Sequence, residues 1–339
     1  PRFRARRKCV GNPPYPGWRG TAFCLVSAEA LLIMASLRSA LILLGIAFGP
    51  LLQAQDDACP GEQGVAVQVL GSGGPIADDG RASSGYLVWV DGRARVLVDT
   101  GGGVFLRFGE SGARFEDLEL IALSHYHTDH SADLPALLKS GFFSPRERSL
   151  NISGPSGKPP FPGLAAYLDG LIGPEHGAYR YLSGYLSGTG GVVELLPVEV
   201  PLEPVVHAVL ENRDLRVTAM PVSHGIVPAI AYRVETRGHR LVFAADQNAG
   251  DETFAEFARD ADLLVMHLAI PGDAGKSARS LHATPEAVGQ LAARARARRL
   301  VLSHFMARSL ADLEANVQDV SKAYQGEVFA AGDLDCYRP

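Results

Sequence analysis

The stretch Leu118-Glu-Leu-Ile-Ala-Leu-Ser-His-Tyr-His-Thr-Asp-His130 runs from an apolar strand pattern straight into four metal-capable side chains. His125, His127, Asp129 and His130 fall within six residues of one another. Imidazole nitrogen together with carboxylate oxygen is the donor set of zinc and related divalent ions. A merely polar loop leading into the helix at Ser131 would not need this concentration of ligating side chains.

The same design recurs further along the chain. His224 follows the apolar run Leu215–Met220, Asp246 follows Arg240–Ala245, and His304 follows Arg299–Ser303. Each is a metal-capable side chain at the C-terminal end of a strand pattern, where rigid strands position the groups on the loops beyond them. Taken singly, each would pass as an ordinary surface or hydrogen-bonded residue. Beside the 125–130 cluster they become candidate ligands.

The surrounding pattern predicts one α/β domain with helices outside two packed sheets. Strands are expected at 65–70, 86–90, 95–98, 118–123, 149–153, 192–200, 215–220, 229–234, 240–244, 263–266 and 299–302, each rich in Val, Ile, Leu or Tyr and bounded by turn residues. Thr284, Pro285 and Glu286 read as a cap and first turn, starting a helix to about Arg296. Ser309, followed by Asp312, opens another, with Leu310, Leu313, Val317 and Val320 at core-facing spacing. Shorter helices fit 131–140, 161–171 and 252–259. The segments 154–163, rich in Pro and Gly, and 173–191, rich in Gly, Ser and Tyr, read as long surface loops.

H-Y-H-T-D-H at 125–130, P-V-S-H at 221–224, A-A-D at 244–246 and L-S-H at 302–304 resemble the metallo-β-lactamase superfamily. Leu70-Gly-Ser-Gly-Gly-Pro75, Ser84-Gly-Tyr-Leu87 and Val98-Asp-Thr-Gly-Gly102 resemble the opening of its ribonuclease Z and arylsulfatase-like branch, and His282-Ala-Thr284 a later motif of that branch. The resemblance implies an αββα sandwich. It implies that His125, His127 and His224 hold one metal ion and Asp129, His130 and His304 a second, with Asp246 bridging. Asp99 corresponds to a structural aspartate beneath the site. Two divalent ions are implied, with zinc first and manganese or iron fitting the same donors. Ions about 3.5–4 Å apart bring a bridging water toward a pKa of 7. Asp129 would also orient that water, and His282 is the candidate to protonate the leaving group or steady an oxyanion.

Composition bounds the rest. The chain has 339 residues, 20% of them charged, with a net charge of −5. That argues against a nucleic-acid partner, which usually meets a concentrated basic face. Residues 34–54 carry a secretory pattern: Arg38, an apolar run from Ala40 to Phe48, then small residues to Ala54. The run is too short for a comfortable membrane span. Residues 1–33 read as an upstream segment outside the natural start, and 55–339 as the metallo-hydrolase domain. A periplasmic or secreted location follows, with no stable membrane insertion once the signal is cleaved. Cys59 and Cys336 lie near the two ends of that domain and could close a disulfide in such a compartment.

Three features disfavour a ribonuclease Z-type endonuclease. An exported protein does not meet precursor tRNA. The short span from His224 to Asp246 leaves no room for that enzyme's long tRNA-gripping arm. Leu268 stands where the resemblance calls for a glutamate in Met266-His-Leu-Ala-Ile270, which leaves His267 a structural role. Without that acid a phenolate, which needs little protonation, is a better leaving group than an alkoxide. The expectation is therefore a dinuclear hydrolase of small aryl sulfate or aryl phosphate esters. Aromatic residues around 142–185 would wall its pocket. A lactonase is the alternative, and a non-catalytic zinc-binding protein comes after it. The expected partner is a small-molecule ester, with a homodimer admitted as the assembly and no nucleic acid bound.

Overall fold

The structure is a computed structural model that describes Cys59 and residues 63–339. The expected signal segment 34–54 and the upstream residues 1–33 lie outside the described residues. The first sheet is built from β1 (Val65–Gly71), β2 (Gly85–Val90), β3 (Arg93–Val98), β4 (Leu120–Ala122), β5 (Leu150–Pro155) and β6 (Leu195–Val200). The second takes β7 (His207–Glu211), β8 (Arg216–His224), β9 (Val227–Thr236), β10 (His239–Phe243), β11 (Leu263–His267), β12 (Arg299–Ser303) and β13 (Glu327–Ala330). A final strand, β14 (Cys336–Tyr337), crosses back and pairs with β1. Each sheet so formed has seven strands, in the orders β14-β1-β2-β3-β4-β5-β6 and β13-β12-β11-β10-β9-β8-β7.

Both sheets follow one plan: antiparallel hairpins first, then parallel strands with helical crossovers. Asp91 and Gly92, at φ 49° and 74°, turn β2 into β3, and Arg237 and Gly238, at 50° and 82°, turn β9 into β10. Two successive positive-φ residues match the right-handed twist of the flanking strands. The crossover and capping helices are α1 (Val104–Glu110), α2 (Thr128–Ser131), α3 (Leu134–Gly141), α4 (Leu164–Ile172) and α5 (Thr253–Phe257). Later in the chain come α6 (Lys276–Arg279), α7 (Pro285–Arg294), α8 (Ala307–Leu310) and α9 (Leu313–Ala323).

Side-chain alternation sorts the core into layers. On β1 and β2, Val67, Val69, Tyr86 and Val88 face the opposite sheet, where Val217, Ile230, Tyr232, Leu241, Val265 and Val301 meet them. Their neighbours Leu70, Leu87 and Trp89 point outward against Phe108, Leu134, Leu138 and Leu168 of α1, α3 and α4. On the far side, Leu264, Leu300 and Leu302 pack under Phe254, Val288, Leu291 and Val320 of α5, α7 and α9. The described residues form a single αββα domain of the expected class. None of their helices is long and apolar enough to cross a membrane.

Local differences from the expected elements have plain causes. Thr284 caps α7, its hydroxyl accepting from the Ala287 amide. Ser309 opens no long helix: it sits inside α8 with its hydroxyl bonded to Met306, and Asp312 caps α9 instead, accepting from the Ala315 amide. Strand β7 escaped the sequence reading because it is a short edge strand with one buried residue, and β14 because two residues carry no alternation.

Cys59 and Cys336 are joined in a disulfide with a Cα–Cα distance of 5.7 Å across a sequence separation of 277 residues. Closing so long a loop restricts the unfolded chain far more than the folded one. Cys336→Ser is therefore expected to cost on the order of 2–5 kcal/mol, seen as a melting temperature several degrees lower under oxidising conditions. Equal melting temperatures for the variant and the oxidised parent would contradict a stabilising bridge.

Candidate metal centre

The site lies where the parallel strands of both sheets end. After β4 the chain passes through Leu123 and Ser124 to His125. Tyr126 then turns away, stacking on Tyr167 with ring centroids 4.5 Å apart and donating to the Pro155 carbonyl at 2.8 Å. His125 and His127 consequently share the opposite side, with His125 Nε2 3.0 Å from His127 Nδ1. Asp129 and His130 follow within α2. His224 is the last residue of β8, before a turn at Gly225 (φ 59°).

The chain turns sharply as it leaves three of the contributing strands. Asp99 after β3, Ala245 after β10 and His304 after β12 have φ values of 60°, 56° and 54°. Non-glycine residues in this left-handed region are strained, and such strain gathers at functional sites. Here it directs Asp246 and His304 to the same point. Glycine permits the close packing around them: a side chain at Gly101 would run into the Asp129 carbonyl, and one at Gly74 would come within 3.0 Å of the His304 ring.

All seven expected ligands are brought together. One group is His125, His127 and His224, and another is Asp129, His130, Asp246 and His304, with the donor atoms of each group within 4.8 Å of one another. His304 Nε2 is 3.2 Å from both Asp129 Oδ2 and Asp246 Oδ2. Asp246 Oδ2 also lies 3.6 Å from His130 Nε2 and 3.9 Å from His224 Nε2, so it stands between the two groups. Every one of the seven is buried except the half-buried His127.

Anchors behind the ligands set their orientation. Asp99 Oδ2 accepts from His130 Nδ1 and from Ser124 Oγ, both at 2.8 Å, while Oδ1 accepts from the Ser124 amide at 2.7 Å. A carboxylate only accepts, so His130 donates from Nδ1 and presents Nε2 toward the centre. His224 likewise donates from Nδ1 to the Leu281 carbonyl at 2.8 Å, turning Nε2 inward. Ser124 is a supporting residue that sequence reasoning missed, although its place directly before His125 was a signal. The Ser124 carbonyl also accepts from the Ile230 amide at 2.9 Å, tying the second sheet to the ligand loop.

Electrostatics agree with a site made for cations. Burial opposes charge on His130, yet the carboxylates of Asp99, Asp246 and Asp129 outweigh it and hold the ring well above the usual histidine range. Burial and the neighbouring His130 hold His125 well below that range. Asp246 resists burial because His304 and His130 keep its carboxyl well below the usual carboxylate range. His130 Nε2 is buried and has no hydrogen-bond partner among the described residues. A buried nitrogen without a partner, beside carboxylates and other imidazoles, fits a divalent ion, which binds by displacing any proton held there.

His282 is buried beside the ligands, its Nδ1 3.8 Å from Asp246 Oδ2 and its donor atom within 4.8 Å of those of His224 and Asp246. Burial, only partly offset by Asp246, pushes it down to about 3. An imidazole that is neutral near pH 7 donates a hydrogen bond but carries no extra proton for a leaving group. His267 bridges two site loops, donating to the Ala245 carbonyl at 3.1 Å and accepting from the Ala283 amide at 3.0 Å. Leu268 beside it is fully buried.

Comparison with known proteins now bears on the site. Residues 183–305 match the family described as beta-lactamase superfamily domain. Ribonuclease Z of Methanosarcina acetivorans is 27% identical over 303 residues, covering 80% of this chain and 99% of its own. Ribonuclease Z of Mycobacterium sp. (strain KMS) is 31% identical over 255 residues, covering 71% of this chain and 84% of its own. Human tRNase Z, short form, shares the fold with a TM-score of 0.62 at 22% identity, covering 80% of this chain and 98% of its own.

These relatives overturn two expectations: a small aryl sulfate or aryl phosphate ester as substrate, and the exclusion of nucleic acid as partner. The net charge of −5 averages over the whole surface, whereas contact with a phosphate backbone needs only a local cation. The short 224–246 span and Leu268 are local differences, outweighed by a likeness that runs across 71–80% of this chain. The fold and the buried His/Asp cluster support a metal-dependent hydrolase. By its likeness to these proteins across most of their length, the chain belongs to the ribonuclease Z branch of the metallo-β-lactamase superfamily.

Proposed function

We propose that this chain is a dinuclear metal-dependent phosphodiesterase that cleaves RNA. One observation carries the reading: proteins named Ribonuclease Z match it across 71–80% of its length, and its cluster of seven donors suits displacement at phosphorus. His125, His127 and His224 would hold one ion, and Asp129, His130 and His304 the other, with Asp246 shared. Five imidazoles and two carboxylates favour zinc, and manganese or iron suits the same donors. Two divalent ions there supply Lewis acidity toward a phosphoryl oxygen and bring the pKa of a water to about 7.

The chain's own residues do the remaining work. Asp129 would bind one ion and accept a hydrogen bond that orients the attacking water. His282, buried and neutral beside Asp246, would donate a hydrogen bond to an oxygen as charge builds on it. Asp99 fixes the ring of His130 and acts through it. The compartment is a separate proposal: the Cys59–Cys336 disulfide supports an oxidising location. In that setting the RNA would be met outside the cytosol, periplasmic or secreted, rather than as precursor tRNA.

With the zinc-loaded chain, labelled RNA is expected to be cut, cleavage to cease with a chelator, and zinc to restore it. Full metal loading with no cleavage of single-stranded or structured RNA would rule the reading out. Asp246→Asn should lower bound metal from about two ions toward one, reducing turnover by orders of magnitude while the circular dichroism spectrum is kept. Two ions retained at parental turnover would exclude a shared ligand. Asp99→Asn should weaken metal affinity about 10–100-fold by releasing the His130 ring. A titration giving parental affinity would show that the Asp99 anchor is dispensable.

A further inference from the structure

The aromatic residues between 142 and 185 form no walled pocket. Tyr185 is buried in the core, whereas Phe142, Phe143, Tyr179 and Tyr181 stand on the surface, with Phe143 75% and Tyr181 65% exposed. They surround Lys139 on α3, whose Nζ lies 4.8 Å from the Phe142 ring centroid, 4.9 Å from that of Phe143 and 5.6 Å from that of Tyr181. The Tyr179 and Tyr181 rings meet at 83°, offering faces in different directions. Phe105 on α1 adds another exposed ring across an open groove of about 580 Å³. Ala132 and Asp133, which also line this groove, directly follow the α2 turn that carries Asp129 and His130. One end of the groove thus lies within four residues along the chain of Asp129 and His130.

We propose that this aromatic groove around Lys139 is a stacking platform for single-stranded RNA that continues outward from the metal centre. It rests on the reading that RNA is the substrate. Exposed ring faces stack on unpaired bases of any sequence, and a cation among them meets the phosphates between those bases. The Lys139 ammonium is held by rings rather than by a carboxylate, so its charge is available to a polyanion. A second copy of the chain is a poorer occupant. A two-fold contact brings the same patch against itself, setting Lys139 against a surface whose one lining carboxylate, Asp133, is already engaged. Asp133 Oδ2 accepts from the Gly103 amide at 2.8 Å and the Phe105 amide at 2.9 Å.

The test uses the zinc-loaded full chain with two measurements in parallel. One is the binding of a fluorescent, slowly cleaved phosphorothioate RNA of about 12 nucleotides, and the other is kcat and KM for cleavage of the matching natural RNA. Phe143→Ala and Tyr181→Ala should each weaken binding and raise KM about tenfold, with kcat within about twofold and cleavage of a dinucleotide unchanged. Lys139→Gln should weaken binding and flatten its salt dependence by about one ion. Thermal melting close to the parent's shows that these exposed positions leave the fold intact.

The platform is refuted if all three variants bind and cleave the longer RNA as the parent does. It is refuted equally if Phe143→Ala turns a dimer into a monomer at unchanged RNA affinity, since the patch is then an interface between copies. RNA bound through these residues but never cut would sink the cleavage reading and leave the platform standing. RNA cut with parental KM in every variant would do the reverse.

Discussion

Five imidazoles and two carboxylates crowd together at the strand ends, and everything else in the site answers to that crowding. Buried groups of this kind are costly unless each lone pair and charge finds a partner. His125 and His127 bring ring nitrogens within 3.0 Å of each other, and His130 Nε2 has no hydrogen-bond partner among the described residues. Divalent cations satisfy such groups. The fold therefore holds its ligands in place through anchors on their outer sides, leaving the inner atoms free.

Asp99 is the chief of these anchors. It takes the His130 ring, the Ser124 hydroxyl and the Ser124 amide in three hydrogen bonds, while the Ser124 carbonyl reaches the Ile230 amide in the opposite sheet. Tyr232 adds to the tie, its hydroxyl 3.0 Å from the Leu123 carbonyl and 3.1 Å from Ser153 Oγ. The two sheets are thus fastened together directly beneath the ligand loop. Left-handed turns at Asp99, Ala245 and His304 are held by the same surroundings, so strain at the site is offset by packing and hydrogen bonds around it.

Much of this was legible in the residues. The 125–130 motif named four candidate ligands outright, and the rule that functional groups gather at strand ends supplied His224, Asp246 and His304. Period-two alternation gave most strands of both sheets, since one face of β1 and β2 had to meet the other sheet. What escaped had weak local signals. Strand β7 is a five-residue edge strand with one buried side chain, β14 is two residues long, and Ser309 looks like a cap until Asp312 takes that role. The substrate was misjudged for a different reason. Net charge, Leu268 and a short span describe what surrounds the centre, whereas the centre itself is indifferent to whether a phosphodiester belongs to a small ester or to RNA. On the proposed reading that choice would fall to the surface around the groove, where exposed rings and a lysine carry no sequence periodicity.

The most direct measurement of the central claim is anomalous X-ray diffraction from crystals of the zinc-loaded chain, recorded on both sides of the zinc edge. Two peaks about 3.5–4 Å apart are expected, one within bonding distance of His125, His127 and His224, the other of Asp129, His130 and His304, with Asp246 touching both. A single peak, or zinc bound elsewhere with these seven side chains keeping only one another's company, would contradict it.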